Sequence, residues 1–393
     1  MLNWILSQTK GDRVIWIIVL LLSLVSLLAV YSSTGTLAYK YQSGNTEYYL
    51  LKHFGIMVSG LVIMYLTHLV PYKYYSRLSQ IMLFIAIPLL FLTLILGTNL
   101  NEARRWITLP IINLSFQTSD LAKLALIMFL ARMLSKKQDS IKDFMKSFVP
   151  IIASVIAVCG LIAPANLSTA AVLFGTSILL MIIGRISFGQ ISLVLFCGLI
   201  LLILLVLFGP RRETYKSRIG TFFNKENATA AQLFQSDQAK IAVATGGLIG
   251  KGPGNSTQRN YLPHPYSDFI YAIIIEEYGM IGGFGILGLY LIFLYRCIRI
   301  VTKSPGAFGA LLAAGLSFAL VIQALTNMAV NVNLFPVTGL ALPLVSMGGT
   351  SIWFTSISLG IILSVSKNVE ENEDEVPTTG NTVRPANYKV ITT

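Results

Sequence analysis

Long apolar runs broken by short polar connections are the dominant pattern in this 393-residue chain. A helix needs about 20 apolar residues to cross the hydrocarbon core of a bilayer. Ten stretches approach that length: 14–33, 53–69, 80–97, 120–134, 148–163, 169–184, 188–208, 269–295, 308–330 and 340–365. The expected architecture is an all-α membrane protein with about ten transmembrane helices and one long extracytoplasmic loop, 209–267. The first run follows Lys10, Asp12 and Arg13, lacks a small-residue cleavage site and is too long for a signal peptide, so it counts as a span. Residues 367–393, with their EENEDE run and two prolines, hold too few apolar groups to fold alone and read as a disordered tail behind the 14–366 membrane domain.

Composition agrees. The chain is 54% hydrophobic and 12% charged, whereas a soluble globule carries roughly a quarter charged residues to solvate its surface. Soluble enzyme classes are excluded. The net charge of +12 sits in the connections between apolar runs, where membrane proteins keep their topogenic cations, and so gives no support to a nucleic-acid ligand. If the N-terminus is cytoplasmic, the short connections on that side hold twelve Lys and Arg, against four (Lys40, Lys52, Arg104 and Arg105) on the other side. That asymmetry predicts both termini, including residues 1–13, in the cytoplasm. Cys159, Cys197 and Cys297 all fall in or beside apolar runs and read as small packing residues.

Ionisable groups at membrane depth are costly and are therefore the first candidates for chemistry. Arg104 and Arg105 precede Trp106, a pattern that suits either a bidentate phosphate clamp or an interfacial anchor. Asp120 and Lys123 lie three residues apart, on one face of a helix, where an ion pair would let both enter a low-dielectric bundle. The 209–267 loop carries eight cations against three acids, which suits a polyanionic ligand, and within it GGLIGKGPGNS (246–256) offers Lys251, Asn255, Ser256 and unhindered backbone amides. Asp268 stands where this loop meets a span, readable as a helix cap or a reactive carboxylate, while Glu276 and Glu277 lie deeper, and Glu277 needs a partner, for which Lys123 or an arginine would serve. His264 lies in the loop between prolines. Asn327, Asn331 and Asn333 followed by Pro336, Gly339 and Pro343 predict a broken connection, and SMGGTS then supplies small packing residues. Zinc, nucleotide and Ser-His-Asp signatures are absent from the sequence.

Taken in order, RRWI, SDLAK, the long QSDQAKIAVATGGLIGKGPGNSTQRNYLPHPYSDFIYAIIIEEYG and NVNLFPVTGLALPLVSMGGTS give a chain that resembles the SEDS family of cell-wall proteins (shape, elongation, division, sporulation), the FtsW/RodA group, and within it the division-type branch. The resemblance covers 14 to about 366. It implies an inverting peptidoglycan glycosyltransferase of the bacterial inner membrane, at the division septum, which polymerises lipid II with a class B penicillin-binding protein and other division proteins as partners. It also implies that Asp268 matches the essential aspartate and that Arg105, Asp120, Lys123 and Glu277 match positions of the substrate cavity. Two departures stand out: Asn166 replaces a common acid and His264 a common glutamate. No metal-ligand cluster is visible, although a divalent cation such as Mg or Mn is compatible with a pyrophosphate substrate. A lipid II flippase is the rival reading, since ten spans with intramembrane charges also describe carriers.

Overall fold

A computed structural model describes residues 10–41, 43–100, 103–109, 114–209, 211–223 and 230–375. Ten helices cross the bundle: α1 (Arg13–Ser33), α3 (Thr46–Leu69), α4 (Lys73–Leu96), α5 (Thr118–Lys136), α6 (Val149–Ile162), α7 (Leu167–Ile183), α8 (Phe188–Phe208), α11 (Ile270–Lys303), α12 (Ala307–Asn331) and α13 (Thr350–Glu375). Helix α2 (Gly35–Tyr41) links α1 to α3, and a π-helical turn, Phe144–Phe148, leads into α6. Among the described residues eight of these helices, α6 taken with its π turn, are long and apolar enough to cross a membrane. Of the other two, α7 is apolar but has only 17 residues, and α5 carries Asp120, Lys123, Arg132 and Lys136. The protein is a multi-pass helical membrane protein.

Helices α5, α12 and α13 form the centre, whereas α8 shows nearly all of its surface to the surroundings. Close contact depends on small residues, as expected where apolar helices have no water to escape. A Cβ on Gly60 of α3 would meet Ser356 Oγ of α13 at 2.9 Å, and one on Gly315 of α12 would meet Ile127 of α5 at 2.6 Å. The SMGGTS glycines act differently, since Gly348 and Gly349 precede α13 and Gly349 turns the chain with φ +47°.

Four expectations change. The last helix begins at Thr350 and not near 340, because Pro336, Gly339 (φ +70°) and Pro343 hold 332–349 out of helical geometry. It also runs nine residues beyond 366, so 367–375 is helix and not tail: Glu370 accepts from Gly11 N at 2.6 Å and Glu373 pairs with Lys303 at 2.8 Å. The expected disorder of 376–393 lies outside the described residues. The 98–117 connection is an antiparallel meander of β1 (Thr98–Leu100), β2 (Ala103–Leu109) and β3 (Leu114–Gln117), with Trp106 opposite Gln117. Finally, the long loop contains helices α9 (Arg212–Phe223) and α10 (Ala230–Gly246).

Candidate active site

Helix α11 organises the end of the bundle remote from Lys10. It breaks at Gly279, whose φ of +68° and ψ of −170° are open to glycine alone. Breaking a helix orphans backbone groups on both sides, and here the 247–252 segment satisfies them. Lys251 N donates to Glu276 O at 3.0 Å and Gly252 N to Glu277 O at 2.9 Å, while Met280 N and Ile281 N donate back to Gly247 O and Leu248 O at 2.9 and 3.3 Å. The glycines of GGLIGKGPGNS permit this approach: a Cβ on Gly250 would lie 2.2 Å from Glu277 O.

Side chains lock the same seam. Glu276, 0% exposed, accepts from Lys251 Nζ at 2.6 Å, Thr257 Oγ1 at 2.9 Å, Thr257 N at 3.1 Å, Gln258 N at 3.2 Å and the Ser256 hydroxyl. Glu277, 1% exposed, accepts from the Ser32 hydroxyl of α1 and from Ser256 N at 3.4 Å. Arg259 Nη1 donates to Ser32 O at 2.9 Å. The predicted residues Lys251, Asn255, Ser256 and Glu277 therefore come together, with Asn255 Nδ2 donating to Lys251 O at 3.0 Å. Glu277 is not partnered by Lys123, because Ser32, far away in sequence, reaches it first.

Lys123 pairs instead with Asp120, Nζ to Oδ1 at 2.8 Å, as the i,i+3 spacing allows. Lys123 also donates to Gln323 Oε1 at 3.2 Å, and Gln323 Nε2 to Ala341 O at 2.9 Å. Asp120 is 4% exposed, and its Oδ2 has no protein partner among the described residues; it borders a cavity of about 50 Å³ with Thr176, Ser351 and Thr355. Removing one member of a buried pair strands the other charge at a cost of about 3–5 kcal/mol, whereas replacing both with apolar groups is often neutral. Lys123→Met is expected to lower the thermal unfolding midpoint in detergent markedly, and Asp120→Leu/Lys123→Met to recover most of the loss. A double variant no more stable than the single one would show that the pair does not act through charge burial.

Asp268 lies in the turn before α11, partly exposed. Helix α11 is capped by Phe269 without a side-chain bond, so the Asp268 carboxylate is not consumed as a cap. Among the described residues Ser267 Oγ is its one hydrogen-bond donor, at 3.0 Å to Oδ1. Its backbone is held firmly: Asn327 Nδ2 and Asn331 Nδ2 each donate to Asp268 O at 3.0 Å, and Asn331 Oδ1 accepts from Ala272 N at 3.0 Å. Beneath it, the 332–349 connection is stapled in place by Ser346 Oγ donating to Ser267 O at 2.6 Å and Met347 N donating to Tyr266 O at 2.9 Å. Gly339 faces the carboxylate, and a Cβ there would sit 3.5 Å from Oδ2.

A cation reads on Asp268 from α9. Burial and the like charge of Arg211 push the Arg218 guanidinium down from its usual range, and Asp268 acts against both. An arginine stays protonated under such pressure, so a positive charge on α9 acts electrostatically on the carboxylate. Arg211 Nη1 and Tyr215 OH anchor α9 by donating to Ala165 O and Ala163 O at 3.1 and 3.2 Å. The sequence put Arg211 and Arg218 in a basic loop without distinguishing them, and their i,i+7 spacing was the one available signal. Ser32 and Gln323 carried no local signal. The backbone of Arg105 lies in β2, and its side chain lies outside the described residues. Asn166 caps α7, accepting from Thr169 N at 3.3 Å, and His264 is an exposed loop residue beside Tyr266. Among the described residues no three His, Cys, Asp or Glu converge as a metal site.

The family model for cell cycle proteins of the FtsW/RodA/SpoVE type matches residues 12–371. The chain belongs to this family. Stage V sporulation protein E of Bacillus subtilis is 35% identical over 92% of this chain and 98% of its own. A probable peptidoglycan glycosyltransferase FtsW of Trichlorobacter lovleyi is 33% identical over 91% and 94%. The family fold is shared with a solved chain of a peptidoglycan synthase complex (TM-score 0.69, 23% identity, 91% of this chain and 98% of that one) and with the crystal structure of the rod shape determining protein RodA of Thermus thermophilus (TM-score 0.64, 23% identity, 91% and 97%). The family match runs through α13 into its polar extension, so the 367–371 turn belongs to the family region.

Proposed function

We propose that this family member is a peptidoglycan glycosyltransferase that polymerises lipid II at the inner membrane, of the division type, with a class B penicillin-binding protein as partner. Curated relatives named as FtsW glycosyltransferases support the activity, and the description of the family as cell cycle proteins supports the division role. The observation that carries the mechanism is the Asp268 carboxylate: its backbone is fixed by two asparagines, it is not used as a helix cap, and the charge of Arg218 acts on it electrostatically.

In the proposed reaction an acceptor sugar hydroxyl attacks C1 of a donor whose leaving group is the undecaprenyl pyrophosphate. The C–O bond to the pyrophosphate breaks as the new glycosidic bond forms, and the hydroxyl proton passes to Asp268. An α-linked donor gives a β-linked product in one displacement, so one base suffices. Arg218, Arg211 and Arg105 are assigned to the charge that develops on the pyrophosphate, a role that a divalent cation brought with the substrate would share. Asp120 and Lys123 act at one remove, because Lys123 reaches the connection under Asp268 through Gln323. Lys251, Asn255, Ser256 and Glu277 are assigned to holding the loop in place, with no direct hold on substrate.

Incubating the purified chain, alone and with its transpeptidase, with lipid II tests the reading: glycan strands are expected. Movement of labelled lipid II across liposomes without polymer would establish the flippase instead. The active end is assigned to the extracytoplasmic side with both termini in the cytoplasm, so cysteines at positions 259 and 303 should be labelled by an impermeant reagent from opposite sides of the membrane. Labelling of both positions only after lysis would overturn this topology, and labelling of 303 in intact spheroplasts with 259 reached only after lysis would reverse the orientation.

A further inference from the structure

At the opposite end of α11, beyond the Gly279 break, lies a cleft of about 270 Å³ between the N-terminus of α1, the last turns of α11 and the polar extension of α13. Its walls are fixed by ion pairs and caps. Asp12 accepts from Arg296 Nε at 2.6 Å and caps α1 through Val14 N at 2.9 Å. Asp12 N donates to Ser366 Oγ at 2.9 Å, Gly11 N to Glu370 Oε2 at 2.6 Å, and Lys303 pairs with Glu373 at 2.8 Å. Gly11 is required where it stands: its φ is +92°, and a Cβ would lie 3.1 Å from Leu363 O.

Every carboxylate of the cleft thus has a partner, but two of its four cations do not. Arg13 and Arg299 line the same space, and among the described residues neither has an ion pair. Guanidinium groups bind phosphate oxygens through a planar fork. Basic pockets between helices at the membrane surface suit acidic lipid headgroups, and this cleft is formed by the ends of three membrane-crossing helices. Both arginines are solvent-exposed, and both line this one cleft, whose volume is large enough for a phosphate group.

We propose that this cleft is a binding site for a phosphate-bearing anion, held by Arg13 and Arg299, with the phosphodiester headgroup of an anionic phospholipid as its source. The site is independent of the glycosyltransferase reading. The test uses the full chain in phosphatidylcholine nanodiscs, into which phosphatidylglycerol is titrated, with native mass spectrometry counting bound lipid and thermal unfolding as a second readout. A saturable headgroup is expected, with apparent affinity falling roughly tenfold or more in Arg13→Gln/Arg299→Gln, since each lost bond to a charged group is worth about a factor of ten. Lys136→Gln/Lys142→Gln, which removes two cations elsewhere, should bind like wild type. Inorganic phosphate in the same nanodiscs separates the sources: saturable stabilisation by millimolar phosphate, lost in the arginine variant, without lipid retention, would keep the anion site but overturn the lipid assignment. Equal lipid binding by wild type and the arginine variant, with no effect of phosphate, would overturn the site itself.

Discussion

Asp268→Asn is expected to cut glycan polymerisation from lipid II by about 10²- to 10⁴-fold, the usual cost of losing a general base, while the protein still folds and still binds lipid II. The substitution is close to isosteric. Asp268 O, which accepts from Asn327 and Asn331, is a backbone atom and is untouched, and Ser267 can still donate to the Asn side-chain carbonyl. Only the capacity to take a proton is removed. Arg218→Gln in the same assay should act differently, raising KM and lowering kcat together, because in the proposed reaction its charge holds the bound pyrophosphate and stabilises it further as it departs. Near-wild-type polymer from Asp268→Asn would reject Asp268 as the base. A variant that no longer unfolds cooperatively would point to a folding role, and thermal unfolding beside the kinetics distinguishes the two.

The second large effect is structural. Gly279→Ala places a Cβ 2.2 Å from Leu248 O in a backbone geometry reserved for glycine. The conformation alone costs about 1–3 kcal/mol, and the clash is with backbone, which cannot rotate away. Either α11 straightens or the loop leaves, and both outcomes strip partners from Lys251 N, Gly252 N, Met280 N and Ile281 N. A large drop in thermal midpoint, with loss of activity, is therefore expected. Gly285→Ala, on the same helix with nothing within 4 Å of its Cβ, is the control and should be neutral or slightly stabilising. If Gly279→Ala matched Gly285→Ala in stability, the break in α11 would not be a requirement of the fold.

The bundle was legible because hydropathy is a local property. Each long apolar run from Val14 onward had to become a helix, and the Asn-Pro-Gly run after Asn327 announced the broken connection before Thr350. The Asp120–Lys123 pair was legible for the same reason, since both partners lie within one turn. What escaped was non-local. Nothing near Glu277 names Ser32 as its partner, and the docking of 247–252 into α11 uses backbone groups that every residue possesses. Glycine at 250 and 279 was the sole trace, and single glycines have many causes. The polar run at 370–375 looked unfoldable because its partners Gly11 and Lys303 are distant in sequence. The β1–β3 meander is short and lies at one end of the bundle, where alternation over a few residues gives little signal.

The seam at Gly279 also decides how substrate arrives. Lids that open over active sites move because few contacts hold them. The 247–258 loop is bound by four backbone bonds across the helix break and by a buried carboxylate with five donors, so lifting it would orphan those backbone groups and strip Glu276 of its partners. It serves as a fixed wall. For the proposed lipid-linked substrate, a fixed wall here favours lateral entry, out of the bilayer and between helices, with the sugar swinging toward Asp268 while the isoprenoid tail stays in lipid and the loop serves as doorpost.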